Sequence, residues 1–173
     1  MCKKVLIAIA IVAGVFLALV FGGLVYLGTV SPETFVVHGH QMRSSQKRTV
    51  EELGLLEPGE KIKYFYSDGL INIKDGMYFA TDKHLVLYSE NWDDPKLIVP
   101  FSEITEMDVI YNESWIEDSY ITVVLTNGDY WEFPVSSEKG RDRDFYKYLQ
   151  ERSGANTDTS PSDDLPIDVD ALR

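Results

Sequence analysis

The first hydrophobic feature of the chain is a long unbroken run. From Val5 to Val30, "VLIAIAIVAGVFLALVFGGLVYLGTV", 26 residues pass without a formal charge. As a helix this run extends ~39 Å, against ~30 Å of bilayer hydrocarbon. A cleaved signal peptide has an apolar core of only ~7–15 residues and a small-x-small site after it. This run is longer, and no such site follows it. Residues 1–30 are therefore expected to be an uncleaved, single-pass transmembrane anchor. Ala10, Gly14, Ala18 and Gly22 recur every four residues along it. Such a stripe lets two helix backbones approach closely, so it is a candidate helix–helix interface for a homodimer.

After the anchor the pattern changes three times. Residues 31–48 are polar, show no period and read as a linker. "TVEE" at 49–52 has capping-box spacing, with Thr49 as cap and Glu52 returning to its amide. The short helix it predicts runs to about Leu56, before Pro58-Gly59. Residues 60–135 then read as consecutive short strands. Ile62, Tyr64 and Tyr66 alternate with Lys61, Lys63 and Phe65. Strands follow at 77–81 and 85–88, around a tight turn at Asp82-Lys83. Leu97, Val99 and Phe101 alternate as another, with Pro100 marking an edge or corner because it cannot donate to a ladder. Ser102-Glu103 makes the corner, and Ile104 opens the next strand through Met107, Val109 and Tyr111. In "YITVVLTNGDYWEFPV" a two-residue Asn127-Gly128 turn would mix the apolar faces. A three-residue loop with Gly128 left-handed sets Ile121 opposite Phe133 and Val123 opposite Trp131, burying one clean face. From Ser136 the period becomes helical. Phe145, Tyr148, Leu149 and Arg152 share one face, and Gly154 suits the stop. Residues 155–173 are acidic, polar and Pro-containing, and read as a disordered tail. The domain is thus expected over 49–154, mainly β. About seven strands would form a small antiparallel barrel or half-barrel, with a C-terminal α-helix over one open end.

Several stretches carry a family resemblance in order. They are "EPGEKIKYFYSD", "YFATDKHLVLY", "IVPFSEITEMDV", the Val-rich hairpin and "FYKYLQER". Over about residues 54–152 the chain resembles the bacterial pleckstrin-homology-like (PH-like) domain family. That family often shows Thr-x-x-Arg-Leu at the second turn; here "TDKHL" places His84 where Arg is common. The resemblance implies a PH-type barrel closed by the C-terminal helix, acting in binding or assembly rather than catalysis.

Charge narrows the choice of partner. The chain carries a net −12, and residues 54–152 hold ten Lys and Arg against twenty Asp and Glu. Such a domain repels phosphate backbones, so nucleic acid is not expected as a partner. Phosphoinositide-binding PH domains use a basic cluster around the first hairpin. "KIKYFYSDGLINIKDG" offers only Lys61, Lys63 and Lys74, too few for a polyphosphate headgroup. Lys3 and Lys4 flank the anchor on its N-terminal side, and basic residues next appear at Arg43. This bias puts the N-terminus in the cytoplasm and the domain outside. Cys2 is the one cysteine, so no disulfide framework is expected.

The remaining chemistry is sparse. His38 and His40 in "HGH" could supply two metal ligands, but a site needs three or four. A solvated linker is the simpler reading, and His84 is expected to pack or hydrogen-bond at its turn. Asp93, Asp94, Glu113, Glu117 and Asp118 fall in two turns without a calcium-loop spacing. No nucleophile motif stands out, and neither enzyme activity nor a cofactor is expected. "NES" at 112–114 is a glycosylation sequon, relevant only in a eukaryotic secretory route. Trp92 and Trp115 both sit in polar loops. Each is a candidate partner-binding anchor, or folds back as a lid on the core. The sequence therefore predicts a single-pass cell-membrane protein with an acidic PH-like domain, acting as a non-enzymatic protein-interaction module. A self-assembling envelope protein is the alternative, and a lipid-binding domain or enzyme the third.

Overall fold

The structure, a computed structural model, describes residues 2–30, 33–69, 71–114 and 117–155. Trp115 and the tail residues 156–173 lie outside the described residues. Helix α1 spans Cys2–Val30. Within it, side chains are described for Ile9, 11–23 and Val25 only. Among the described residues no helix is long and apolar enough to cross a membrane. The side chains of the uncharged run are described only in part.

The rest is built from eight strands and two further helices. They are β1 (Val37–His38), α2 (Ser44–Glu52), β2 (Ile62–Tyr66), β3 (Met77–Thr81), β4 (His84–Tyr88), β5 (Lys96–Pro100), β6 (Ile104–Ile110), β7 (Ser119–Leu125), β8 (Tyr130–Val135) and α3 (Arg141–Ser153). The strands form two antiparallel sheets, ordered β1-β2-β3-β4-β5 and β6-β7-β8. Of the expected barrel or half-barrel, the full barrel is not closed: among the described residues, no strand of one sheet pairs with a strand of the other. Strand β5 is an edge, and Pro100 ends it at a corner over Phe101–Glu103, where the chain passes to the second sheet. The hairpin of β7 and β8 has the expected register, Ile121 opposite Phe133 and Val123 opposite Trp131. Gly128 sits at φ 87°, its amide bonded to Leu125 O at 2.9 Å.

Helix α3 clamps the two sheets together. Phe145, Tyr146 and Leu149 are buried in the core between them. Tyr146 donates its hydroxyl to Met107 O of the second sheet (3.3 Å), and Tyr148 to Thr81 O of the first (2.8 Å). Arg152 closes the end through Asp82 O at 2.6 Å. The sequence pattern identified Phe145 and Leu149 on this face; Tyr146 and the buried Asp142 were not on it.

The five-stranded sheet is apolar on both faces. Tyr78, Ala80, Leu85 and Leu87 point into the core shared with the second sheet and α3. Met77, Phe79, Val86 and Tyr88 point the other way, into a second core with Val37, Met42, Val50 and Leu55. That second cover comes from residues 33–56, whose first part was read as a linker. Val50 is fully buried in that second core, and Val36 is fully buried in the first. Arg141 Nη1 donates to Val36 O (2.8 Å), and Thr34 Oγ1 to Glu138 Oε2 (2.9 Å), fixing this segment to the start of α3. Helix α2 also begins earlier than the capping pattern suggested. Its entry is set by Gln46, whose Oε1 accepts from the Arg43 amide (2.9 Å), while Glu33 accepts from both side chains. Thr49 is interior and donates back to Ser45 O. Gln46 therefore supplies the return contact expected of Glu52, six residues sooner.

Gly39 fixes the position of β1. Its amide donates to Lys63 O at 3.0 Å. A Cβ there would lie 2.0 Å from Ile62 O, a backbone atom that cannot step aside. Gly39→Ala is therefore expected to destabilise the domain by roughly 1–3 kcal/mol, the cost of overpacking a tight contact. Thermal unfolding of the full chain in detergent checks this; an unchanged midpoint would return residues 31–48 to the status of a linker.

Candidate functional site

Three features hold the chemistry of the domain. The first is a hydrogen-bonded cluster that joins the entry turn of β2 to the β3–β4 turn. Glu60 is buried there. Its Oε1 accepts from the Thr81 hydroxyl in a short contact and pairs with His84 Nδ1 at 2.9 Å. Its Oε2 accepts from the Glu57 amide at 2.7 Å. Thr81 Oγ1 in turn accepts from the amides of Lys83 (3.0 Å) and His84 (2.8 Å), so one hydroxyl organises the turn. Burial alone would push the Glu60 carboxyl up. The hydrogen bonds from Thr81, the Glu57 amide and His84, with the His84 charge, outweigh it and hold the carboxyl below its ordinary range.

Glu57, Glu60 and His84 bring ligand-capable atoms within 4.8 Å of one another. The donor set is nevertheless occupied. Glu57 Oε2 holds Lys83 Nζ at 2.7 Å, and both Glu60 oxygens are spent as described. The cluster thus acts as a tie between two turns. His84 does what the sequence expected of it, hydrogen-bonding at its hairpin.

Because the folded Glu60 carboxyl lies below its unfolded value, its contribution is present above about pH 4.3 and fades as pH falls through the folded value. Glu60→Gln is expected to lower stability by about 1–3 kcal/mol at pH 7. The gap to the parent should shrink on acidification below about pH 4. Unfolding midpoints of both chains at pH 7 and pH 3.5 check this; an equal gap at both would show that the charge of Glu60 is not what matters.

The second feature is a cleft of about 640 Å³ between β1, α2 and β2. It is lined by Lys47 of α2, Lys61 just ahead of β2, Lys63 within it, His38 and His40, and Tyr64 and Tyr148. The two imidazoles stack at 5.6 Å, and Tyr64 lies 4.8 Å from His38 and 5.4 Å from Tyr148. A bulge in β2 between Ile62 and Tyr64 lets residues of both strand faces reach the cleft. Gly39 brings its flanking histidines against β2, so the "HGH" stretch is a wall of this cleft. Sequence reasoning missed that because a two-residue strand carries no period.

The third feature is the outer face of the second sheet. Ile110, Tyr120 and Pro134 lie opposite one another across β6, β7 and β8. Ile110 is 64% and Tyr120 44% exposed, and Tyr130 on the same face is 61% exposed. Alternation along β7 hides Ile121 and Val123 and leaves this row outside.

Of the residues singled out from sequence, Trp92 is half-buried against the core, its ring 5.8 Å from that of Trp131. It folds over the end of the sheets. The five acidic turn residues are not gathered into one site. Asp118 accepts from Tyr66 Oη at 2.6 Å, and Glu117 from Asn112 Nδ2 at 2.7 Å. Burial pushes the Asp118 carboxyl up against the Tyr66 bond that pulls it down. In α1, a Cβ added at Gly14 or Gly22 would meet nothing within 4 Å, so that part of the stripe is uncovered. Ala18 is exposed, and the Ala10 side chain lies outside those described.

No protein-family profile and no curated protein matches the chain. Similar solved structures include a DUF1696 family protein with a pleckstrin-homology domain from Shewanella loihica. It is 15% identical with a TM-score of 0.49, over 70% of this chain and 99% of that one. A pleckstrin homology domain from Shewanella amazonensis is 12% identical with a TM-score of 0.46, over 64% and 89%. A PH domain containing bacterial protein from Exiguobacterium sibiricum is 19% identical with a TM-score of 0.47, over 69% and 61%. All three are described by the domain type that residues 54–152 resemble. The architecture stands on the pairings and cores above.

Proposed function

We propose that the chain is a membrane-tethered, non-enzymatic protein-interaction module with an acidic PH-like domain. The observation that carries the interaction reading is the outer row of Ile110, Tyr120 and Pro134, with Tyr130 on the same face four residues away along β8, beyond Glu132. Isolated exposed apolar residues are ordinary, but several on one rigid sheet face form a surface suited to a partner. Aromatic residues of this kind supply large contact area at small entropic cost. The tether rests on the uncharged run from Val5 to Val30 and on the exposure of its described apolar side chains, among them Val12 at 69% and Leu19 at 71%. Water does not favour such a surface along a helix, whereas hydrocarbon does. Lys3 and Lys4 orient the tether with the domain outside the cytoplasm.

Two measurements on the full chain in its membranes test this. Alkaline carbonate should leave the chain in the membrane pellet; release into the supernatant would overturn the tether. A photo-crosslinking residue in place of Tyr120 should give a discrete adduct with a different protein, and one in place of Asn127 should not. An adduct of two copies, weakened by Gly14→Ile with Gly22→Ile, would replace this reading with the self-assembling envelope protein. No adduct at position 120 would remove the outer face as a docking surface.

A further inference from the structure

We propose that the outer face of the second sheet docks a short extended segment of a partner protein, in which a basic side chain is flanked on the same side by apolar ones. This rests on the docking reading of that face and supplies the chemistry of its partner. From Leu97 to Glu138 the chain has no Lys, Arg or His, yet it carries nine Asp and Glu. All three strands of the second sheet lie in that stretch. Next to the outward row of Ile110, Tyr120 and Pro134, pairing sets Asp108, Thr122 and Glu132 side by side. The row after that is Glu106, Val124 and Tyr130. Glu106, Asp108 and Glu132 are all exposed. An acidic row therefore runs between two rows that offer aliphatic and aromatic surface.

Among the described residues no ion pair includes Glu106, Asp108 or Glu132, while Glu33, Glu57, Glu138 and Glu151 each hold a cation. Arg143 stands 4.4 Å over the Tyr111 ring, but that ring lies against Tyr146 on the inner side of β6. Charges of one sign on a rigid face select a partner of the opposite sign. A second copy of the same face would set acid against acid. Residues 156–173 of the chain carry five Asp against Arg173, so they are repelled as well. An anionic lipid surface meets the same obstacle.

Spacing sets the shape of the occupant. Rows stand ~6.8 Å apart along a strand, so the three cover ~14 Å, the length of about four or five extended residues. An extended segment shows every second side chain on one side at the same step. The pattern apolar-x-basic-x-apolar thus places its basic residue over Thr122, between Asp108 and Glu132, and its apolar residues over the flanking rows. Those two carboxylates sit two strands apart, ~9.6 Å across the sheet. Arg suits the position better than Lys, because its planar fork can serve both carboxylates at once. Tyr120 and Tyr130 add ring faces to which a guanidinium is also drawn.

The probe is a blocked pentapeptide, leucine-serine-arginine-serine-leucine, and its counterpart carries glutamate in place of arginine. Each is titrated into the full chain in phosphatidylcholine nanodiscs, followed by the methyl resonances of Ile110 and Val124, on either side of the acidic row. The arginine peptide is expected to shift both methyls saturably, more weakly as salt is raised, and the glutamate peptide to shift neither. Binding should weaken at least about threefold in Asp108→Asn with Glu132→Gln. It should be unchanged in Glu51→Gln with Glu52→Gln, which removes the same charge from α2. The unfolding midpoint of each variant separates lost binding from lost fold. The proposal is overturned if both peptides shift the methyls alike, if neither does, or if the Asp108 and Glu132 variant, still folded, binds as well as the parent. Should no peptide bind while the crosslinker at position 120 still captures a different protein, the docking face stands and this partner chemistry falls. Should that crosslinker give no adduct either, both fall.

Discussion

A β-sheet with apolar side chains on both faces has to be covered twice, and this requirement organises the molecule. In β3 and β4 successive residues point to opposite sides. Phe79 and Val86 are as completely buried as Ala80 and Leu85. The second sheet and α3 can cover one side only. The other side would stand open to water if the chain before β2 did not fold across it. Burying large aliphatic and aromatic side chains is worth about 1.5–3 kcal/mol each, so leaving that face bare would be costly. Residues 33–56 supply the cover, and β1 adds itself to the edge of β2 in doing so.

The chemistry of the domain follows from this second cover. Joining the segment to the sheet creates a seam along β2. At one point on the seam Glu60 ties the entry turn to the β3–β4 turn. Beside it, the approach of Gly39 to Ile62 leaves a cleft walled by histidines and lysines. The second sheet needs no second cover, because its strands alternate and only one face is apolar throughout. Its outer face is therefore free to carry Ile110, Tyr120 and Tyr130 toward solvent. The two candidate surfaces thus have different origins: the cleft is a by-product of covering a two-sided sheet, and the outer row belongs to a one-sided one.

The sequence made the strands legible where alternation is strong. The β7–β8 register could be read because a single choice of loop buried one clean face, and Gly128 supplies the left-handed residue that loop requires. Pro100 was legible as an edge or corner for the same local reason. The segment 31–48 was not, because its few buried positions, Val36, Val37, Met42 and Gln46, fall among exposed polar residues with no sustained period. The signal for it lay elsewhere. "MYFA" and "LVLY" are continuous apolar runs, the mark of strands buried on both faces, and such strands demand a further layer. The capping box at Thr49 misled because Arg43 and Gln46 form the same return geometry six residues earlier, with Glu33 holding it. The fate of Trp92 depended on Trp131, a contact between distant positions that no local pattern reveals. The barrel is left unclosed because the break at the Phe101–Glu103 corner separates the sheets instead of bending one sheet around.

The central claim is that the segment ahead of β2 is an integral layer of the domain. Amide hydrogen exchange at Gly39 tests it most directly, since that N–H is bonded to Lys63 O at 3.0 Å inside the covered seam. If the segment is part of the fold, the Gly39 amide exchanges as slowly as the amides of β3 and β4, through global opening. Exchange at the rate of an unstructured peptide, while β3 and β4 stay protected, would contradict the account.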